Sequence, residues 1–125
     1  MREHSPVAWS DEFLNWIELL GWSVVSRLLV ARLSLAQSLR ILDMAPRHML
    51  RGTRPATFPS DRAVRLAGAC LGRSLARSQY LRLRGVSHTV VIGATGGIED
   101  FRAHAWVAPF EAAPDGFVEL RRIER

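Results

Sequence analysis

The sequence predicts an α+β fold, in which a helical N-terminal third precedes a second helix that packs on a small antiparallel sheet. Two observations support this prediction. Apolar and small residues recur every three or four positions between residues 14 and 42, as in a helix with one buried face. Strand-like runs of β-branched residues, bounded by glycine and proline, begin only at residue 89. Helices followed by strands are typical of α+β domains.

The composition is that of one folded domain. The chain has 125 residues, of which 48% are hydrophobic and 23% charged, and this balance excludes a disordered chain. All 17 basic residues are arginines and the formal net charge is +5, so the surface favours acidic partners. No aromatic stripe accompanies the arginines, which argues against nucleic acid. Arginines interrupt the most apolar segment, so we expect no membrane span and a soluble, cytoplasmic protein.

Residues 1–45 are predicted to be helical, with Ser10 as the residue that caps the first helix. We expect one face of this region to be buried, with a break near Gly21. Apolar residues also lie off that face, so the helix either is sandwiched between the core and a neighbouring helix or presents a docking face for a peptide or partner. We favour the sandwiched helix. The residues of the predicted buried stripe are Leu14, Ile17, Gly21, Val24, Leu28, Ala31, Leu35 and Leu42.

Residues 46–59 are predicted to be a connector, because three prolines and a glycine exclude regular helix there. Ser60 and Asp61 can cap a short helix that runs to Gly68. A longer helix then starts at Cys70, the only cysteine, and ends at Gly85, a residue suited to the left-handed conformation beyond a helix end.

Three strands complete the prediction. The first is the β-branched run at 89–92, which is followed by Gly93. The second and third are residues 101–107 and 117–123, separated by a loop that contains two prolines and an Asp-Gly pair. We expect an antiparallel meander, in which each strand pairs with the next.

Cys70 and His104 are the candidate catalytic residues. A helix N-terminus has partial positive charge and unpaired N–H groups, which favour a thiolate and can bind an oxyanion. A histidine on a strand can accept the thiol proton and return it to a leaving amine. Asp115 and Glu119 are alternatives for a third group that orients the imidazole. Asp115 is the only aspartate after His104, whereas Glu119 lies opposite His104 if the last two strands pair.

A purely structural explanation competes with this one. A lone cysteine is often a small buried hydrophobe, and a lone histidine is often a hydrogen-bonded core residue. His4, His48 and His88 are interpreted as ordinary polar positions. No pair of cysteine or histidine residues has the spacing of metal ligands, so we expect neither a metal nor another cofactor.

Four blocks of sequence resemble the transglutaminase-like cysteine proteases of lasso-peptide biosynthesis. They are C-L-x-R-S-L-A at 70–76, R-x-R-G-V at 82–86, V-I-G at 91–93 and F-x-A-H-A-W-V at 101–107. The resemblance implies that residues 60–125 form a papain-like or transglutaminase-like catalytic part, with Cys70 as nucleophile and His104 as base. That family usually continues with a glutamate, a glycine turn and an aspartate as third member. Ala108 stands in place of the glutamate and the loop is longer, so Asp115 and Glu119 both remain candidates.

The resemblance also implies a function. It indicates a bacterial leader peptidase in its short, split form, which cuts the leader from a ribosomally made lasso-peptide precursor through an acyl-enzyme. The implied partners are the precursor leader and a small leader-recognition protein, with the macrolactam synthetase as a further candidate. Two alternatives stay open: a transglutaminase-type acyltransferase or deamidase, and a catalytically silent peptide-binding module.

Overall fold

The structure is a computed structural model that describes residues 11–50, 58–96 and 99–125. The predicted α+β class is confirmed, with helices followed by a three-stranded antiparallel sheet. The predicted cap Ser10 and residues 51–57 of the connector lie outside the described residues. The elements are α1 (Asp11–Arg32), α2 (Leu35–Leu42), a 3-10 turn (Arg65–Ala67), α3 (Cys70–Leu83), β1 (Thr89–Thr95), β2 (Arg102–Ala108) and β3 (Val118–Glu124).

Helix α1 continues through Gly21, so the break predicted at that residue is wrong. The break lies after Arg32, where Ser34 caps α2. The Ser34 hydroxyl accepts a hydrogen bond from the Gln37 backbone N–H at 3.2 Å, and the Gln37 side chain accepts one from the Ser34 N–H at 3.0 Å. This reciprocal capping box satisfies two donors that a helix start would otherwise leave unpaired.

Helix α1 packs on the domain through small and polar residues. Leu19, Ser23 and Ser26 are its buried positions, and the two serines let the helix approach its neighbours closely. Glu18 forms an ion pair with Arg84 just beyond α3, at 2.5 Å, and both side chains are largely buried. The ion pair and the buried Leu19 fix which face of α1 meets the core.

The opposite face of α1 is apolar and exposed. Ile17, Val24 and Leu28 belong to the predicted buried stripe, yet they are 48%, 44% and 58% exposed. The interpretation of α1 as a helix sandwiched between core and neighbour is therefore wrong. By length and composition Phe13–Arg32 could also cross a membrane, and 17% of its most apolar window is buried. The exposed large apolar residues of α1 are Phe13, Trp16, Ile17, Leu20, Val24, Val25 and Leu28.

The sheet has the order β2-β1-β3, with β1 antiparallel to both neighbours. The predicted meander is wrong, because β3 pairs with β1 and not with β2. Gly93 of β1 lies opposite His104 on one side and opposite Glu119 on the other. The β2 and β3 strands consequently run parallel to each other, and residues 109–117 return the chain along the sheet.

The segment before α3 positions the start of that helix. Ser60 begins a turn, since its hydroxyl accepts a hydrogen bond from the Ala63 N–H at 3.3 Å, but the predicted short helix is only the 3-10 turn. That turn lies against Gly72, where a β-carbon would be 2.3 Å from the Ala67 carbonyl oxygen. The helix ends as predicted, with Gly85 at a φ of 75°.

The core lies where α3 meets α1, the 3-10 turn and β2. Tyr80 and Leu81 of α3 cluster with Leu19, Val64 and Val107. Val107 therefore points to the α3 side of the sheet, and the alternation of a strand turns His104 and Trp106 to the other side. The division into residues 1–45, 46–59 and 60–125 stays a prediction.

Candidate active site

Cys70 is the first residue of α3. The preceding Ala69 has extended backbone angles and provides no side-chain cap, so the first-turn N–H groups of α3 are left without that partner. The Cys70 thiol is half-buried, and its Sγ lies 4.0 Å from the carbonyl oxygen of Ala103. The candidate nucleophile thus sits at the positive end of a helix and against β2.

His104 follows Ala103 in β2, so the two candidate residues are near neighbours. The imidazole packs on the rings of Trp106 and Phe117, with centroid distances of 6.3 and 5.7 Å. Within the described part of the chain, no hydrogen bond joins the imidazole to the Cys70 thiol. Catalytic hydrogen bonds often tighten only when substrate binds, so the separation does not exclude a Cys–His pair.

A cleft of about 150 Å³ lies between the start of α3 and β2. Cys70 and His104 both line it, which brings the two sequence candidates to one site. The α3 residues that line it recur at helical spacing, so they share one face. The full lining is Asp61, Cys70, Arg73, Ser74, Arg77, His104, Ala105 and Glu111.

Arg77 organises one wall of this cleft. Its side chain is 6% exposed and donates to the Pro59 carbonyl oxygen at 2.8 Å, to Glu111 at 3.1 Å and to Asp61. The guanidinium also lies over the Phe58 ring, 4.9 Å from its centroid. The hydrogen bond and charge of Arg77 hold the pKa of Asp61 below its usual value.

Glu111 is a residue that sequence reasoning missed. One carboxylate oxygen accepts from the Val107 backbone N–H at 2.9 Å, and the other accepts from Arg77. Its loop therefore returns a carboxylate to the end of β2, although Ala108 stands directly after Val107. The available signal was an acidic residue shortly after the histidine strand, but only the fold shows that it reaches Arg77.

Neither Asp115 nor Glu119 lines the cleft. Asp115 is exposed in the turn before Gly116. Glu119 is exposed in β3 and pairs with Arg122 at 2.9 Å, and β1 separates it from His104. The geometry that placed Glu119 opposite His104 required pairing of β2 with β3, which the structure does not have.

His88 is not an ordinary polar position, which corrects the interpretation from sequence. The ring is buried, with Nε2 at 2.6 Å from the Ser78 hydroxyl and Nδ1 at 2.9 Å from the Val86 carbonyl oxygen. Burial lowers the pKa of His88, and the charges of Arg125 and Arg47 act in the same direction.

In the described ranges, no group of three or more potential ligands could hold a metal ion.

Comparison with known proteins identifies the family of this chain. The sequence model of a family described as the transglutaminase-like superfamily matches residues 16–122. The match covers most of the chain and includes Cys70, His104 and the cleft between them. No curated protein and no solved structure matches the chain.

Proposed function

We propose, because the chain belongs to the transglutaminase-like superfamily, that it is a cysteine peptidase that removes the leader from a lasso-peptide precursor. The superfamily comprises cysteine proteases and acyltransferases. The observation that supports a thiol enzyme is Cys70 at the first position of α3, in a cleft that His104 also lines. The resemblance of blocks 70–76 and 101–107 to leader peptidases supports the finer assignment.

In the proposed reaction, His104 accepts the thiol proton and the Cys70 thiolate attacks the scissile carbonyl carbon. The oxyanion that forms is stabilised by the first-turn N–H groups of α3. The imidazolium then protonates the leaving amine as the carbon–nitrogen bond breaks, and water hydrolyses the thioester. For this transfer the imidazole must leave its packing on Trp106 and Phe117 and reach the Cys70 side of β2, where Sγ lies 4.0 Å from the carbonyl oxygen of Ala103.

For the third catalytic group we propose Asp115 rather than Glu119. The loop that carries Asp115 also carries Phe117, whose ring packs on the His104 imidazole. Asp115 thus lies two residues from a contact of the imidazole, whereas β1 separates Glu119 from His104. Asp115→Asn should therefore lower kcat, and the matched variant Glu119→Gln should not.

The proposed partners are the precursor leader, a small leader-recognition protein and the macrolactam synthetase that closes the freed core. We assign the recognition protein to the exposed apolar face of α1, because exposed patches of this extent mark interaction sites. Arg32 in the last turn of α1 and Arg40 in α2 are exposed, so they suit acidic residues on that partner. The chain itself is proposed to be cytoplasmic.

The experiment is mass spectrometry of lasso-type precursors after incubation with the chain, with and without the recognition protein. Cleavage at a single leader–core junction is expected, and it should vanish in Cys70→Ala and in His104→Ala. Deamidation or side-chain transfer would leave the precursor chain uncut and would favour acyltransferase chemistry. Cleavage that persists in Cys70→Ala would contradict the proposal.

A further inference from the structure

Arg73 is the second arginine of the cleft, and its surroundings differ from those of Arg77. It lies one helical turn after Cys70 and lines the same cleft. Its Nε is buried and has no hydrogen-bond partner among the described residues. Arg73 forms no ion pair with another described residue, so its charge at the cleft wall is available to a ligand that the isolated chain does not contain.

The acidic residues of the cleft do not form an ion pair with Arg73. Asp61 and Glu111 both bind Arg77, and Arg73 acts on Asp61 only through its charge, which contributes to the lowered pKa of Asp61. The Asp61 side chain is 78% exposed, so water screens much of its charge. The start of α3 adds positive potential on the Cys70 side of Arg73.

We infer that Arg73 forms a subsite for a carboxylate of the substrate beside the carbonyl that Cys70 attacks. A guanidinium binds a carboxylate through two parallel hydrogen bonds, and its two terminal nitrogens can donate both. The three residues from Cys70 to Arg73 rise about 4.5 Å along α3 and both side chains line one cleft, so the bound carboxylate lies close to the reacting carbon. The substrate is then a peptide with aspartate or glutamate next to the bond that reacts.

The identity of this substrate as a precursor peptide rests on the proposed function, but the anion subsite can be tested without it. Iodoacetate and iodoacetamide are similar in size, alkylate the same thiolate and differ in charge. The ratio of their rate constants at Cys70 cancels any change in thiol ionisation. The ratio therefore reports the electrostatic potential that an incoming carboxylate experiences beside Cys70.

We expect this ratio to be higher for Cys70 than for free mercaptoethanol. Arg73→Gln should lower it about tenfold, the effect of one charge about 6 Å away at a dielectric constant between those of protein and water. Arg73→Lys should keep most of the ratio because it keeps the charge. Arg121→Gln removes an equal charge from the exposed outer strand and should leave the ratio unchanged.

An unchanged ratio in folded Arg73→Gln would overturn the inference, and so would a Cys70 that neither reagent labels. If circular dichroism shows that Arg73→Gln is unfolded, the salt dependence of the wild-type protein is the test. The ratio of the two rate constants must then be lower at high NaCl than at low NaCl, and a constant ratio overturns the subsite. Precursor cleavage with an unchanged ratio refutes the subsite and leaves the peptidase. The expected ratios without any cleavage support the subsite and refute the peptidase.

Discussion

Replacement of Arg77 by methionine tests whether the wall of the cleft depends on one buried cation. The substitution keeps an unbranched apolar stem but removes the three hydrogen bonds of the guanidinium. The Pro59 carbonyl oxygen and one oxygen of Glu111 then lose this partner inside the protein. Asp61 loses an ion pair as well, but its carboxylate is mostly in water.

The loss in stability can be worked from these contacts. Each of the two hydrogen bonds from the charged guanidinium, to Pro59 and to Glu111, contributes about 1.5 kcal/mol, whereas an exposed ion pair contributes little. The expected loss is therefore about 3 kcal/mol in the free energy of unfolding. For a chain of 125 residues this corresponds to a fall in Tm of about 10 °C.

The assay is urea denaturation followed by circular dichroism, with Arg122→Met as the matched control. Arg122 also pairs with a glutamate, at 2.9 Å, but the two side chains are 54% and 42% exposed. The control should lose less than about 1 kcal/mol. Equal losses in the two variants would refute the reasoning that burial makes Arg77 important.

Three further predictions concern other parts of the fold. Burial lowers the pKa of His88 below its ordinary 6.5, so as the pH falls the unfolded chain takes up the proton before the folded chain does. The free energy of unfolding should be highest above pH 6.5 and should fall by up to about 1.4 kcal/mol per pH unit below it. Urea titrations of His88→Gln should not show this slope. Gly72→Ala should cost about 1–3 kcal/mol because the methyl group meets the 3-10 turn, whereas Gly21→Ala, with nothing within 4 Å, should raise Tm. Leu20→Asp on the exposed face of α1 should leave Tm nearly unchanged and abolish capture of the recognition protein, whereas buried Leu19→Asp should unfold the chain; partner binding that survives Leu20→Asp would contradict the assignment of that face.

The sequence was most informative where local physics decides the structure. The start of α3 at Cys70 just after Gly68, the stop at Gly85 and the β-branched strand β1 follow from glycine conformation and side-chain shape. The pairing of β3 with β1 does not, because strand periodicity specifies faces but not neighbours. The apolar period of α1 likewise identified residues that share a face, but the close packing of Ser23 turned that face outwards.

The candidate site shows the same division. Cys70 and His104 could be selected by residue type and position, and the fold brings both to one cleft. The wall formed by Arg77 could not be predicted in this way, because its hydrogen bond to Glu111 joins residues 34 positions apart in the sequence. No local pattern distinguishes the paired Arg77 from Arg73, one helical turn earlier, which lacks a partner for Nε.

The parallel course of β2 and β3 limits how the connection between them can change in length. The nine residues 109–117 must travel back along strands of seven residues, about 20 Å, and can span at most about 30 Å when fully extended. Hydrogen bonds from the Glu111 N–H to Val107 and from the Phe117 N–H to Pro114 fold both ends into turns and shorten that reach. Little slack remains, so this segment should accept insertions far more readily than deletions. Shortening this connection by two or three residues would therefore displace β3 from the sheet.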